Sequence, residues 1–396
     1  MKLLSLIPSL FLFISGQPPL TDPDNHSKVT TTTNNKQETV SIQQQQQQQQ
    51  LPPPRRLKLQ KQKRQTQTQH QLHDHYVPVR KLEPPFPDGL NGGRIVTIPP
   101  EDTYAIDVHL AGNSVVLPPR PIQVWLPQEY DLPSLDENYE FPILICHDGQ
   151  NAMQDASSWT GVSWRMMGAL CRLSERDMLR YPTPPVVVLL PSAQQDLVPY
   201  VVRRRHLEYS SADVTNPFAT AHVEFVAQTV LPYVHTHFDK VSREAKDTFV
   251  IGSSLGGQAS MNLLLGYPNL FGGAACLSPA FQPSTMVAAA AAAASLDQKR
   301  IYMDIGGDMN DVKVSWFDVF DHMTSDHWWN PGYFWLDTQL QPSVDAMSWA
   351  LKQAGIAHSY KKFPGGRHNE RAWSLRIHQP LLYLLGKQQQ QKQQQP

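Results

Sequence analysis

Cysteine is scarce, with three residues in 396, at Cys146, Cys171 and Cys276. So small and odd a number excludes a disulfide scaffold, and the apolar runs around Cys146 and Cys276 make both read as small buried hydrophobes. None stands on a turn beside a base, so a cysteine nucleophile is not expected. Charge of one sign is also missing: the formal net charge is −1. The basic residues that cluster, from Arg55 and Arg56 through Lys58, Lys61 and Lys63 to Arg64, have no interleaved aromatics and form no nucleic-acid motif, so they read as a solvated tether. His70, His73 and His75 lie in the same polar tract and read as an exposed patch, not a metal site. No run is long enough to cross a bilayer comfortably. The longest, Leu3–Ile14, is broken by Pro8, preceded by Lys2 and followed by Ser15-Gly16. That pattern predicts a signal peptide over 1–16, or a retained anchor as its alternative, and a secreted or luminal destination.

Aromatic residues are almost absent from 17–76, where Gln, Thr, Asn, Pro and Lys dominate and a glutamine run occupies Gln43–Gln50. Such a segment cannot bury enough apolar surface to offset chain entropy, and 387–396 repeats the composition. Both are expected to be disordered. About 310 residues remain over 77–386, enough for one large domain with a substantial core.

Within that span short apolar runs alternate with helical patterns. Strands are expected at Ile122–Leu126, Ile143–Cys146, Pro185–Leu190, Thr248–Ile251, Ala274–Leu277 and Ile301–Ile305. Helices are expected at Trp164–Leu173, His222–His237, Gln258–Leu265, Val344–Ala354 and Ala372–Leu385, while Ala288–Ala294 reads as a low-complexity helix or surface loop. Alternation of this kind predicts an α/β fold with a mainly parallel central sheet and helices on both faces, its ligand site beyond the carboxyl ends of the strands.

The chemistry concentrates at Val250-Ile-Gly-Ser-Ser-Leu-Gly-Gly257. An apolar strand runs into Gly-x-Ser-x-Gly and then a helix, the context of a nucleophile elbow centred on Ser254. A serine hydroxyl needs a base and a group to orient that base. His368, after Gly365 and Gly366, is the best-placed downstream base, ahead of His322, His327 and His378. The acid is expected just beyond the strand Arg300–Ile305: Asp308, with Asp311 as the alternative. Asp304, inside the strand, reads as structural. Oxyanion donors are expected from the N–H of Leu255, which follows the nucleophile, and of Gln150, in the turn after the apolar strand that ends at Cys146. Trp164, Trp329 and Trp335 are candidates for a substrate wall. Arg205 and Glu208 read as a pair that pins a loop.

Taken in order, Gln123-Val-Trp-Leu-Pro127, Ile145-Cys-His-Asp-Gly-Gln-Asn151, Trp159 to Trp164, Arg205-His-Leu-Glu-Tyr209, Ile251 to Gly257, Arg300 to Asp311 and Gly366-Arg-His-Asn-Glu-Arg-Ala-Trp373 resemble the esterase D, enterochelin esterase and antigen 85 branch of the α/β-hydrolases. The resemblance spans roughly residues 95–386. It implies an α/β-hydrolase fold and a Ser–His–Asp serine esterase working through an acyl-enzyme, with no metal and no cofactor. It also implies small-molecule or carbohydrate ester substrates, acylated sugars and aromatic acyl esters among them, and no nucleic-acid partner. Transfer to a sugar alcohol, or binding without turnover, are the alternative functions. The chain departs from the family at one place: Met309 stands where the family usually carries its acid, three residues past the strand-end glycine.

Overall fold

In a computed structural model of the protein, described for residues 83–306 and 336–387 apart from 103–106, 111–112, 118–119, 134, 194–195, 199–201, 214 and 365, eight strands make one sheet. They are β1 (Arg94–Ile98), β2 (Ile122–Leu126), β3 (Ile143–His147), β4 (Val186–Leu190), β5 (Thr248–Ser253), β6 (Gly273–Leu277), β7 (Arg300–Ile305) and β8 (His358–Lys362). Their order across the sheet is β1-β2-β4-β3-β5-β6-β7-β8. β2 runs antiparallel to both neighbours, and every pairing from β4 to β8 is parallel.

The central strands are apolar at nearly every position because helices cover both faces. Along β3, Ile143 and Ile145 enter one core, while Leu144 and Cys146 enter the other. The helices include α1 (Met166–Glu175), α2 (Arg204–Glu208), α3 (Pro217–Phe225), α4 (Leu231–His237), α5 (Leu255–Gly266), α6 (Pro283–Ala291), α7 (Leu336–Gln353), α8 (Glu370–Ser374) and α9 (His378–Leu385). Met167 and Leu170 of α1 share a core with Trp373 of α8 and Leu381 of α9. The opposite core takes Val223 of α3, Val234 of α4, Leu263 of α5 and Val344 and Leu351 of α7. All described residues belong to one compact unit. No helix among them is long and apolar enough to cross a membrane.

All six expected strands are present, with ends shifted by at most two residues. The edge strands β1 and β8 are additional: Arg94-Ile-Val-Thr-Ile98 and His358-Ser-Tyr-Lys-Lys362 are half-exposed and lack the apolar density of the central strands. The expected final helix is two helices, α8 and α9, and α7 begins eight residues earlier than expected. The alanine tract runs from the end of α6 into a short helix, Ala293–Leu296. The segment 307–335, which carries Asp308, Asp311, Trp329 and Trp335, lies outside the described residues, as do 1–82 and 388–396.

One close approach sets the geometry from which the site hangs. A Cβ on Gly252, near the end of β5, would stand 2.3 Å from the Gly256 carbonyl oxygen in the first turn of α5. Strand and helix can meet this closely only without a side chain. Gly252→Ala is expected to cost about 1–3 kcal/mol of stability by overpacking against backbone. Denaturant unfolding of the purified variant checks this, and a wild-type midpoint would contradict the close approach.

Candidate active site

Ser254 joins β5 to α5 with φ 56 and ψ −125, a conformation that side chains rarely adopt. Holding it there costs on the order of 1–3 kcal/mol, and it persists only because its surroundings dictate it. The Ser254 N–H donates to the Leu277 carbonyl at the end of β6 (2.8 Å), and its own carbonyl accepts from the Ala280 N–H at 3.1 Å. The next amide, Leu255 N–H, opens the first turn of α5, where no earlier helical carbonyl is available to it. The strand–turn–helix expected around Ser254 is therefore in place, with the strain that an elbow demands.

His368 lies in the loop between β8 and α8 and is 2% exposed. Its Nδ1 is 2.7 Å from Asp337 Oδ1. A carboxylate can only accept, so Nδ1 carries the proton and Nε2 is left as the basic nitrogen. Asp337, in the first turn of α7, is 1% exposed and was not among the expected acids. Its second oxygen accepts from the Gly306 N–H (2.9 Å) and the Ser278 hydroxyl (3.0 Å). Burial by itself would raise its pKa. The His368 hydrogen bond and charge, with Arg376 and Ser278 added, outweigh that and hold the carboxyl below the ordinary aspartate value. Ser278 directly follows Leu277, the acceptor of the Ser254 N–H, so one short stretch of chain connects the elbow to the acid.

The turn after β3 is a 3-10 turn, Gly149–Asn151. Its left-handed residue is Asp148, at φ 53, and not the glycine. Gly149 is small for a different reason: a Cβ there would stand 2.6 Å from the Leu189 Cα of β4. Asp148 accepts two bonds from Arg205 of α2, at 2.8 and 2.6 Å. Burial pushes the Asp148 pKa up, but the charge and hydrogen bonds of Arg205 bring it below the ordinary value. Gln150 exchanges bonds with Ser192 beyond β4, its Nε2 donating to Oγ at 3.0 Å and its Oε1 accepting from N–H at 3.3 Å. The turn faces the elbow, since Asp148 Oδ2 lies 3.0 Å from where a Cβ on Gly256 would stand.

Beneath the turn two histidines are buried together. His147 Nε2 and His222 Nε2 are 3.1 Å apart, and His147 Nδ1 is 3.0 Å from Ser260 Oγ. Ser260 gives its hydroxyl proton to the Gly256 carbonyl (2.8 Å), so it accepts from His147 Nδ1–H. His147 Nε2 is then an acceptor, and His222 Nε2–H is the donor to it. Both rings are neutral in this arrangement. Burial pushes the His222 pKa down to about 3, helped by the charge of Arg120, and holds His147 well below its ordinary value.

Several expectations change on this geometry. Trp164 is fully buried, edge-on to Trp373 with ring centroids 6.2 Å apart, so it packs the core and offers no face to a substrate. Trp159, 39% exposed, is the tryptophan of that segment that reaches the surface. Arg205 and Glu208 do not pair with each other: Arg205 holds Asp148, and Glu208 is bound by Arg120 (2.8 and 3.0 Å) and Arg204 (2.9 Å). Glu370, 2% exposed and bonded to Trp159 and Asn151, was also not anticipated. Among the described residues no group of three His, Cys, Asp or Glu is arranged to hold a metal ion.

The sheet order, the strained serine between β5 and α5 and the carboxylate-held histidine beyond the strand ends define an α/β-hydrolase. Residues 117–384 match the model of the Esterase family, described as "Putative esterase", and the chain belongs to that family of carboxylic ester hydrolases. No curated protein matches it in sequence. Among solved structures it is similar to a ferulic acid esterase (TM-score 0.47, 13% identity, 74% of this chain and 98% of that one). It is similar to the enterobactin esterase of Shigella flexneri (TM-score 0.46, 16% identity, 76% of this chain), spanning 60% of that protein. It is likewise similar to a siderophore hydrolase of Aspergillus nidulans (TM-score 0.47, 16% identity, 71% and 93%).

The buried histidine pair makes the fold acid-sensitive. Each imidazole has a depressed folded pKa, so the unfolded chain binds more protons and stability rises with pH. The contribution is complete above the unfolded value of 6.5 and is lost as pH falls from there toward the folded value of about 3 for His222. Unfolding midpoints measured between pH 8 and pH 5 should fall below about 6.5, and His222→Gln should flatten part of that fall. An identical pH dependence in the variant would exclude the pair as a source.

Proposed function

We propose that this esterase cleaves carboxylic esters with Ser254 as nucleophile, His368 as base and Asp337 as the acid that orients it. The observation that carries the reading is the buried 2.7 Å contact between His368 Nδ1 and Asp337, which leaves Nε2 as the basic nitrogen. Nε2 takes the Ser254 hydroxyl proton as Oγ bonds to the ester carbonyl carbon. The carbonyl oxygen becomes an oxyanion and accepts from the Leu255 and Gln150 N–H groups. Collapse breaks the bond to the alcohol, and the imidazolium returns its proton to that leaving oxygen. Water, deprotonated by Nε2, then attacks the acyl-enzyme, and the second collapse releases the acid and restores the Ser254 hydroxyl.

The substrates proposed are small esters carrying a sugar or an aromatic acyl group. The exposed Trp159 indole beside the oxyanion turn supports this, because a ring face suits either partner. The N-terminal apolar segment supports a secretory-pathway location for the reaction.

Hydrolysis of acetyl, butyryl and feruloyl esters by the full chain tests the assignment. Ser254→Ala should abolish turnover, and Asp337→Asn should lower kcat by roughly 10⁴, because the amide favours the wrong imidazole tautomer. Asp308→Asn and Asp311→Asn should stay near wild type. The reverse ranking would move the acid into 307–335. Product partitioning toward an added sugar would identify a transferase, and no turnover above Ser254→Ala on any ester would leave a binding protein.

A further inference from the structure

Asn151 closes the oxyanion turn and Trp159 follows it, while Glu370 opens α8 two residues after His368. The Trp159 indole Nε1 donates to Glu370 Oε1 at 2.6 Å, and the Asn151 Nδ2 donates to the same oxygen at 3.3 Å. Asn151 Oδ1 in turn accepts the Trp159 N–H at 3.3 Å, which closes a ring of three residues. These partners are 211 and 219 positions apart in sequence, so only the fold brings them together. The other carboxyl oxygen, Oε2, is buried and has no hydrogen-bond partner among the described residues. A buried carboxyl engaged on one side only is a costly choice for simple packing, where an amide or an apolar side chain would do.

We propose that Glu370 is a positioning residue for ester hydrolysis, fixing the oxyanion turn against the histidine loop through Trp159 and Asn151. The inference rests on the roles given above to Gln150 and His368. It assigns to Glu370 the distance between the group that moves the proton and the group that stabilises the charge. Displacing one against the other by a fraction of an ångström weakens the transition state more than it weakens substrate binding.

The protonation of this carboxyl enters through charge. Burial pushes its pKa up to about 7, with Asp148 adding to the rise and the Trp159 bond opposing it. The titratable groups nearby are Asp148, neutralised by Arg205 from α2, and His368, held by Asp337 from α7. When neutral, Glu370 keeps a carbonyl oxygen that accepts from both donors and adds no negative charge beside the developing oxyanion. When ionised it places a second buried anion near Asp148 and opposes the oxyanion. Turnover should therefore decline as pH rises through about 7. The linked stability has the same direction: the folded chain holds this proton more tightly than the unfolded one, so stability falls as pH rises from 4.5 through about 7.

Steady-state kinetics of the full chain from pH 5 to 9, with thermal midpoints alongside, tests the inference on wild type, Glu370→Gln, Glu370→Ala, Trp159→Phe and Ser254→Ala. Glu370→Gln keeps an acceptor for both donors and cannot ionise. It should hold kcat within about threefold at the acid end and lose the decline above neutrality. Trp159→Phe, a change at a partly exposed position, removes the shorter bond and should lower kcat about tenfold with little change in KM. Glu370→Ala should lower kcat further. A Glu370→Gln pH profile superimposable on wild type, or a Trp159→Phe variant with full kcat, would overturn the proposal. Ser254→Ala separates the two readings: activity in that variant removes the nucleophile assignment itself. An inactive Ser254→Ala beside wild-type Glu370→Gln and Trp159→Phe removes only the role of Glu370.

Discussion

A carboxylate sealed from water must be matched on both of its oxygens, and Asp337 is the point around which the rest of the site is arranged. One oxygen faces His368. The other takes the Gly306 amide at the end of β7 and the hydroxyl of Ser278 at the end of β6. Ser278 is itself fully used: it donates to Asp337 and accepts from Trp373 Nε1 at 3.2 Å and Arg376 Nη2 at 2.7 Å. A hydroxyl has one proton and two lone pairs, so nothing is left over. Through that one atom the end of β6, α7 and the segment that carries α8 are fixed relative to each other, and Asp337 ties in the end of β7. The Ser254 elbow hangs from the same place, because its N–H is bound by Leu277. The constraint that orients His368 is therefore also part of what holds Ser254 at its strained turn.

Two buried carboxylates share this region, and their surroundings drive them apart. Asp304 is fully buried on β7, where burial pushes its pKa above the ordinary value and Asp337 adds to the rise, against the opposing pull of Arg376 and the Ser278 N–H. Asp337 is pushed the other way by His368 and Arg376. Arg376 lies 3.2 Å from Asp304 and 3.9 Å from Asp337, so one guanidinium serves both. The carboxylate that touches the imidazole is thereby held in its charged form, which is the state that stabilises an imidazolium. Asp304, bonded by the Tyr302 hydroxyl at 3.2 Å and by the Ser278 backbone, holds the frame. Its reading as a structural residue follows from its place inside β7.

The sheet and the strand–turn–helix around Ser254 were legible because their signals are local. A continuous apolar run such as Ile143–Cys146 has few uses other than a strand covered on both faces, and Gly-x-Ser-x-Gly after such a run describes one turn. His368 was legible through the glycines before it. Asp337 was not, and the reason is chain geometry. The expected acids, Asp308 and Asp311, lie in 307–335 outside the described residues, whereas Asp337, to which we assign that role, comes from the start of α7, more than thirty residues beyond Arg300. An aspartate in the first turn of a helix is common for reasons of the helix dipole alone, so it carries no mark of its role. Edge strands β1 and β8 escaped for a related reason: they are only partly buried, and their mixed residues resemble loop sequence. Trp164 illustrates the opposite error, since a tryptophan near a site looks like a wall until its full burial places it in the core.

The turn after β3, to which we assign an oxyanion donor, is where the physical demands are hardest to meet, because a backbone amide has no side chain of its own to aim it. Here each polar residue of the turn is tied to a different part of the fold: Asp148 to Arg205 on α2, Gln150 to Ser192 beyond β4, and Asn151 to Glu370 on α8. Three tethers in three directions fix a short loop far better than one strong bond could, since rotation about any one of them is resisted by the other two. A donor held in this way needs no reorganisation when charge develops in front of it, which is the source of most electrostatic rate enhancement. The same tethers explain why ionisable residues occupy this crowded place at all. Arg205, bidentate to Asp148, is the main group that holds its pKa below the ordinary value against burial. The third tether ends in a carboxyl left unmatched on one oxygen, so the turn retains one contact whose strength depends on a proton.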